Sequence, residues 1–384
     1  MGQAFEQPFR SCAPAPHLWH ALLAVALTLW LNGARADGVR AITIASGLSH
    51  PWGLAFLPDG RMLVTERPGR MRIVAATGEL GPAIVGVPDV DARAQGGLLD
   101  VALDPKFADN HYVYWSYSEP GPQRTNATAV ARGRLNGARG SERLDDVQVI
   151  FRQSPKVAAV AHFGSRLVFG RDGRLFITLG DRLFHRDAAQ RLDSHLGKVV
   201  RIEPDGRVPS DNPFVKTPGA LPEIWSIGHR NVQGAALHPA TGVLWTHEHG
   251  PEGGDEVNID EAGRNYGWPV ITYGVDYGSG NKIGEGTAKA GMEQPVTYWV
   301  PSIAPSGMCF LTSDRYPGWQ GNLFVGALRG QMLVRLEVNG RKVIKQERLL
   351  EGAVGRIRDV KQAPDGWLYL LTDMADGRIL RVER

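Results

Sequence analysis

Gly53-Leu-Ala-Phe-Leu-Pro-Asp-Gly-Arg-Met-Leu-Val-Thr65 decides the fold, because two apolar runs of strand length flank a Pro-Asp-Gly turn. The phrase returns as Arg166-Leu-Val-Phe-Gly-Arg-Asp-Gly-Arg-Leu-Phe-Ile-Thr178 and as Arg358-Asp-Val-Lys-Gln-Ala-Pro-Asp-Gly-Trp-Leu-Tyr-Leu-Leu-Thr372. Looser copies are Leu98-Leu-Asp-Val-Ala-Leu-Asp-Pro105 leading to Tyr112-Val-Tyr-Trp-Ser116, Gln233-Gly-Ala-Ala-Leu-His-Pro-Ala-Thr-Gly-Val-Leu-Trp-Thr246, and Gly321-Asn-Leu-Phe-Val-Gly-Ala327 leading to Met332-Leu-Val-Arg-Leu-Glu337. The Asp-Gly pairs at 59–60, 172–173 and 365–366 predict type I′ hairpin turns, whose central residues both take positive φ. Each copy reads as the middle of an antiparallel blade. A four-stranded unit recurring every ~40–50 residues marks a propeller, with wider spacings absorbed by loops. The copies predict an all-β fold, a six-bladed β-propeller of four-stranded antiparallel blades. A Greek-key sandwich is the rival, but it seldom holds so many similar hairpins.

Composition agrees with strands and tight turns: 47 Gly, 25 Pro and 10 Trp punctuate the chain too often for a helical bundle. The formal charge of +3 arises from 43 basic and 40 acidic residues with no long basic run, which excludes nucleic acid as an expected partner. Residues 1–36 read as an export signal, leaving residues 37–384 as a single propeller domain. The apolar run from Ala21 to Leu31 is about half the ~20 residues that span a bilayer, so no stable membrane anchor is expected. Ala34-Arg35-Ala36 supplies the small-x-small pattern for cleavage, and a periplasmic location follows. Cleavage would remove Cys12 and leave Cys309 with no disulfide partner. Asn126-Ala127-Thr128 fits a glycosylation pattern too short to carry weight.

Propeller loops converge on the central axis, so polar residues at strand ends become site candidates. Gln95, His162, Asp181, Arg230, Asn231, Arg329, Arg356 and Arg358 all lie just before or after predicted strands. Four arginines on one axis would repel one another unless they meet carboxylates, and Asp359 offers a local partner as the simpler alternative. His162 precedes Gly164 and is expected to remain accessible as a base, with Asp181 fixing its tautomer. His247-Glu-His-Gly-Pro-Glu-Gly-Gly-Asp-Glu-Val-Asn258 is rich in oxygen ligands and glycine, which suits Ca²⁺. Zinc on His247 and His249 is the weaker reading, because no third ligand lies close in sequence.

These motifs, in this order from Leu48-Ser-His-Pro-Trp-Gly53 to Leu371-Thr-Asp373, resemble the soluble glucose/sorbosone dehydrogenases that use pyrroloquinoline quinone (PQQ), in particular the aldose sugar dehydrogenase branch. The resemblance implies that His162 removes the proton from a sugar's anomeric hydroxyl, supported by Asp181, with hydride passing from the sugar C1 to PQQ. It implies that Gln95 lines the pocket, that Arg230, Asn231, Tyr277, Arg356 and Arg358 contact PQQ, and that Arg329 faces the quinone oxygens. Gly250 and Pro251 would offer carbonyls to a Ca²⁺ that also holds PQQ; Glu256 and Tyr266 would hold a second, structural calcium. The implied partners are a small-molecule sugar and an external electron acceptor, a quinone or cytochrome. Ala161 stands where the glucose dehydrogenase branch has an acidic residue, and Arg329 where it has Lys, so only an electrostatic role passes to Arg329. Short loops between blades imply an open pocket. A calcium-dependent sugar lactonase and a non-catalytic binding propeller are the competing functions.

Overall fold

The computed structural model describes residues 38–384, so the expected export signal and Cys12 lie outside the described residues. Six antiparallel sheets of four strands surround an axis. Blade 1 is Pro51–Phe56, Met62–Glu66, Arg70–Val74 and Leu80–Ala83, and blade 2 is Leu98–Leu103, Tyr112–Pro120, Asn126–Asn136 and Arg143–Arg152. Blade 3 is Leu167–Phe169, Leu175–Thr178, Lys198–Ile202 and Ile224–Ile227, and blade 4 is Val232–Leu237, Leu244–Glu248, Asp255–Asp260 and Thr297–Trp299. Blade 5 is Pro305–Phe310, Leu323–Ala327, Leu333–Asn339 and Lys342–Leu349. Blade 6 takes Ile357–Gln362, Leu368–Thr372 and Gly377–Glu383 from the end of the chain and Arg40–Leu48 from its beginning. That last pairing, from Arg40 opposite Glu383 to Leu48 opposite Gly377, closes the ring and covers an edge that would otherwise be open.

The repeated phrase is the inner pair of strands in five blades, not the middle pair. In blade 5 the copy starting at Gly321 is one strand out of phase and spans the second and third strands. The turns differ from expectation too. Gly60, Gly173 and Gly366 have φ of 83°, 80° and 85°, whereas Asp59, Asp172 and Asp365 are not left-handed. The loops are three-residue connections, with Gly60 N–H on Leu57 O and Leu57 N–H on Arg61 O, and the same pattern at Gly170 to Arg174 and Ala363 to Trp367. Each Asp instead accepts a backbone N–H two residues on, from Arg61, Arg174 and Trp367, which holds it in the right-handed turn.

Apolar clusters fill every junction between neighbouring blades, such as Leu63, Trp115 and Tyr117 between blades 1 and 2, and Phe324, Leu333 and Leu368 between blades 5 and 6. Packing between sheets therefore carries the hydrophobic stabilisation, leaving the axis free for polar groups. Asn126 is wholly buried and bonded to Asp91 and Arg182, so the glycosylation pattern is structural. Cys309 is the free cysteine of the described residues. Among the described residues no helix is long and apolar enough to cross a membrane.

Candidate active site

A cavity of about 360 Å³ opens at the axis, and its lining includes Trp52, Gln95, Asn231, Gln233, His249, Arg356, Arg358 and Asp373. One chain of hydrogen bonds orders much of this wall. Arg358 Nη1 donates to Gln233 Oε1 at 3.0 Å, and Gln233 Nε2 donates to Asn231 Oδ1 at 3.2 Å and Gly164 O at 3.1 Å. The Gly164 N–H also donates to Asn231 Oδ1 at 3.2 Å. Arg356 and Arg358 both lean on Asp373, at 3.2 and 3.4 Å, and His50 reaches the same carboxylate at 3.2 Å. Asp359 is not their partner; it pairs with Arg166 at 2.9 Å.

Arg230 has no carboxylate within ion-pair distance among the described residues, and its Nη1 donates to the carbonyls of Gly250 at 2.6 Å and His249 at 3.1 Å. Burial, with Arg166 and Arg356 as like-charged neighbours, pushes Arg358 down to about 10 despite Asp373, and its Nε is buried without a partner. Positive charge on this wall exceeds the acceptors provided. The donor set suits a planar polycarboxylate, and PQQ fits that description.

Beside the wall, His162 Nδ1 lies 2.7 Å from Asp181 Oδ1. His162 is 6% exposed, in contrast to the accessibility expected of it. Its backbone is left-handed, φ 53°, and the loop is pinned from several blades: Gln95 Oε1 accepts the His162 N–H at 2.9 Å, and Arg182 donates to the carbonyls of Ala161 and Ala159. Gly180 is required there, since a Cβ would sit 2.0 Å from His162 O. Burial and then Arg230 push the imidazole below its usual pKa, Asp181 opposing them. Burial alone would raise Asp181, but the His162 hydrogen bond and charge, with Arg230 and the Leu183 N–H, keep it low. The pair is thus a neutral imidazole with Nδ1–H donated to a carboxylate, and Nε2 is the basic nitrogen.

Arg329 is exposed and outside the cavity lining. Tyr277 is 62% exposed and meets Arg230 rather than the cavity, its ring centre 5.9 Å from the guanidinium.

A second, smaller polar recess lies between Glu248, Gly250, Glu256, Tyr266 and Thr272, while Pro251 is buried next to it. Burial, with the like charge of Glu248, pushes Glu256 up to about 8, so two carboxylates share this recess, which Arg230 also lines. Asp255 ties the loop down, accepting from the N–H groups of Gly250, Ile303 and Ala304. The Tyr266 hydroxyl is committed to Ile259 O at 2.5 Å and Glu261 N–H at 2.9 Å, so only its carbonyl could serve a metal. No three His, Cys, Asp or Glu side chains among the described residues converge as a metal site, so a cation here must draw on backbone oxygens, which suits Ca²⁺. His247 is sealed in blade 4 and His249 Nε2 lies on Pro305 O at 2.6 Å, which removes the zinc pair.

Sequence reading missed Arg166, Asp100, Gln233, Trp268 and Asp373, and weighed His249 only as a zinc ligand. Asp100 carried a usable signal, a lone charge inside the apolar run Leu98 to Leu103, which demands a buried partner. Trp268 carried none, because its partner is distant in the chain.

An all-β ring with an arginine-walled axial cavity and a buried His-carboxylate pair beside it fits a propeller dehydrogenase. The glucose/sorbosone dehydrogenase family model matches residues 48–381, and the chain belongs to that family of oxidoreductases. Aldose sugar dehydrogenase YliI of Escherichia coli (strain K12) is 48% identical over 364 residues, 94% of this chain and 96% of the relative. The solved apo form of the soluble aldose sugar dehydrogenase from Escherichia coli matches at TM-score 0.86 and 48% identity, covering 90% of this chain and 99% of that one. The PQQ-bound aldose sugar dehydrogenase from Streptomyces coelicolor matches at TM-score 0.75 and 32% identity, covering 90% and 97%.

Proposed function

We propose that this protein oxidises aldose sugars at C1 to lactones, with PQQ as cofactor and Ca²⁺ as its companion. The observation that carries the reading is a guanidinium wall short of anions beside a buried, neutral His162 oriented by Asp181. Arg358, Arg356, Asn231 and Gln233 would hold the cofactor's carboxylates and ring edge, with Arg230 beside them; Gly250 and Pro251 would hold the calcium at the cofactor, and Glu256 and Tyr266 a second, structural one. PQQ supplies the two-electron acceptor when bound, and calcium beside it supplies Lewis-acid polarisation. His162 Nε2 takes the proton of the anomeric hydroxyl, while Asp181 stabilises the imidazolium that forms. Gln95 fixes the backbone of His162 and bounds the sugar pocket. Electrons leave to an external quinone or cytochrome. Residues 1–36 direct the chain to the periplasm and are removed, leaving the propeller domain.

Purified apoprotein should reduce a dye with aldoses only after PQQ and Ca²⁺ are added. Lactone hydrolysis with Ca²⁺ alone would replace this reading with a hydrolase. His162→Ala should lose at least ~10²-fold in dye reduction while PQQ still binds. Unchanged turnover in that variant would remove His162 from the mechanism.

A further inference from the structure

Asp181 has two oxygens, and they are held from different blades. Oδ1 accepts from His162 Nδ1 at 2.7 Å and from the Leu183 N–H at 2.8 Å. Oδ2 accepts from the indole N–H of Trp268 at 2.8 Å. Trp268 belongs to the segment between the third and fourth strands of blade 4, 87 residues from Asp181, and is 7% exposed. Its own place is fixed by its N–H on Gly228 O at 2.9 Å and by Gln190 Nε2 on its carbonyl at 2.7 Å. The same indole faces Arg230, whose guanidinium lies 5.4 Å from the ring centre.

We propose that Trp268 is a positioning residue for the base: its indole N–H locks the Asp181 carboxylate so that Oδ1 stays on His162. Leu183 alone grips only Oδ1, so without the indole the carboxylate can turn about its Cβ–Cγ bond and exchange its oxygens. A carboxylate relieved of the Trp268 donor is also more basic, and it stabilises the imidazolium more strongly. The other charged or titratable groups facing the pair are Arg230, Arg182 and His249. None of them donates to Oδ2.

The assignment of His162 as base rests on the proposed function, so the first measurement avoids turnover. In cofactor-free protein, ¹⁵N NMR of the histidine rings reads the tautomer and titration of His162. Trp268→Phe, which keeps a ring against Arg230 but lacks the N–H, should raise the His162 titration midpoint and mix its tautomers; Trp268→His, which keeps a ring donor, should restore part of both. With PQQ and Ca²⁺ present, Trp268→Phe should lose roughly 10-fold in kcat with PQQ affinity retained. An unchanged His162 titration in Trp268→Phe overturns the proposal, and so does an equal loss in both variants. If Trp268→Phe does not fold, the wild-type indole resonance decides: its Nε1–H must shift as His162 titrates, and a resonance indifferent to that titration overturns the proposal. Absence of sugar oxidation by the wild type would instead strike the proposed function and leave the NMR result standing.

Discussion

Arg166 and Arg358 are both buried, and they touch: Arg166 Nη2 donates to Arg358 O at 3.2 Å. Their surroundings are opposite. Arg166 is 2% exposed and is met by Asp100 at 3.1 Å and Asp359 at 2.9 Å, while its Nε holds Gln233 O at 2.7 Å and its guanidinium lies 4.3 Å from the Trp52 ring centre. Arg358 shares one carboxylate with Arg356 and His50 and keeps an unpartnered Nε. The first is a fastener joining blades 2, 3, 4 and 6 behind the cavity. The second is kept short of anions and, on the proposed function, would be a binding group. Burial alone does not separate the two roles; the count of local carboxylates does.

The largest effect follows from cutting the fastener. Arg166→Ala removes the cation between Asp100 and Asp359 and leaves only Lys361, 4.0 Å from Asp359, and removing one partner of a buried ion pair costs about 3–5 kcal/mol. Denaturant unfolding should show that loss, and a variant as stable as the wild type would break the distinction. Arg358→Ala should behave in the other way. It relieves like-charge repulsion from Arg166 and Arg356, so the cofactor-free protein should melt near the wild-type temperature. PQQ affinity should nevertheless fall about 10²-fold, the size expected when one partner of a buried charged contact is removed. Fluorescence titration with PQQ measures it, and a large fall in melting temperature would show that Arg358 is a fastener too.

His162 offers a comparison of smaller size, since it is buried like Arg166 yet kept uncharged. Its folded pKa lies below the ordinary value near 6.5, so the unfolded chain binds the proton first as pH falls. The stability His162 costs is therefore absent well above pH ~6.5 and grows as pH drops below it toward the folded value. His162→Asn keeps an amide near Asp181 but cannot titrate. Between pH 7 and 5 the wild type should lose more melting temperature than this variant, and parallel slopes would contradict a neutral buried ring.

The sequence made the repeat visible because Pro, Asp and Gly act locally: Pro58, Asp59 and Gly60 determine a turn with little help from elsewhere. The type of turn was less legible, since Asp59 could satisfy either geometry until its bond to the Arg61 N–H was seen. His162, Asp181, Gln95, Arg356 and Arg358 were legible as residues at strand ends, which a propeller sends to its axis. Asp373 and Trp268 were not, because what gives them meaning is a contact across the ring. Arg329 differs from these: it occupies a strand end like the others, but it is exposed and outside the cavity lining.

Within the wall, Arg356 and Arg358 sharpen the comparison further. They share Asp373 Oδ2, but the side chain of Arg356 is 46% exposed and that of Arg358 10%. A guanidinium half in water loses less solvation when it meets a carboxylate, and dissolved ions screen it, with a Debye length of about 8 Å at 0.15 M salt. Arg358 is shielded by Gln233 and Trp52, so salt reaches it poorly. Arg356→Ala should therefore weaken PQQ by only about 10-fold at low salt, and the deficit should shrink as salt rises, as for charges at the rim of an interface. The deficit of Arg358→Ala should hardly change over the same range. If both deficits fall together with salt, the two arginines act as one diffuse positive field, and burial confers no special role on Arg358.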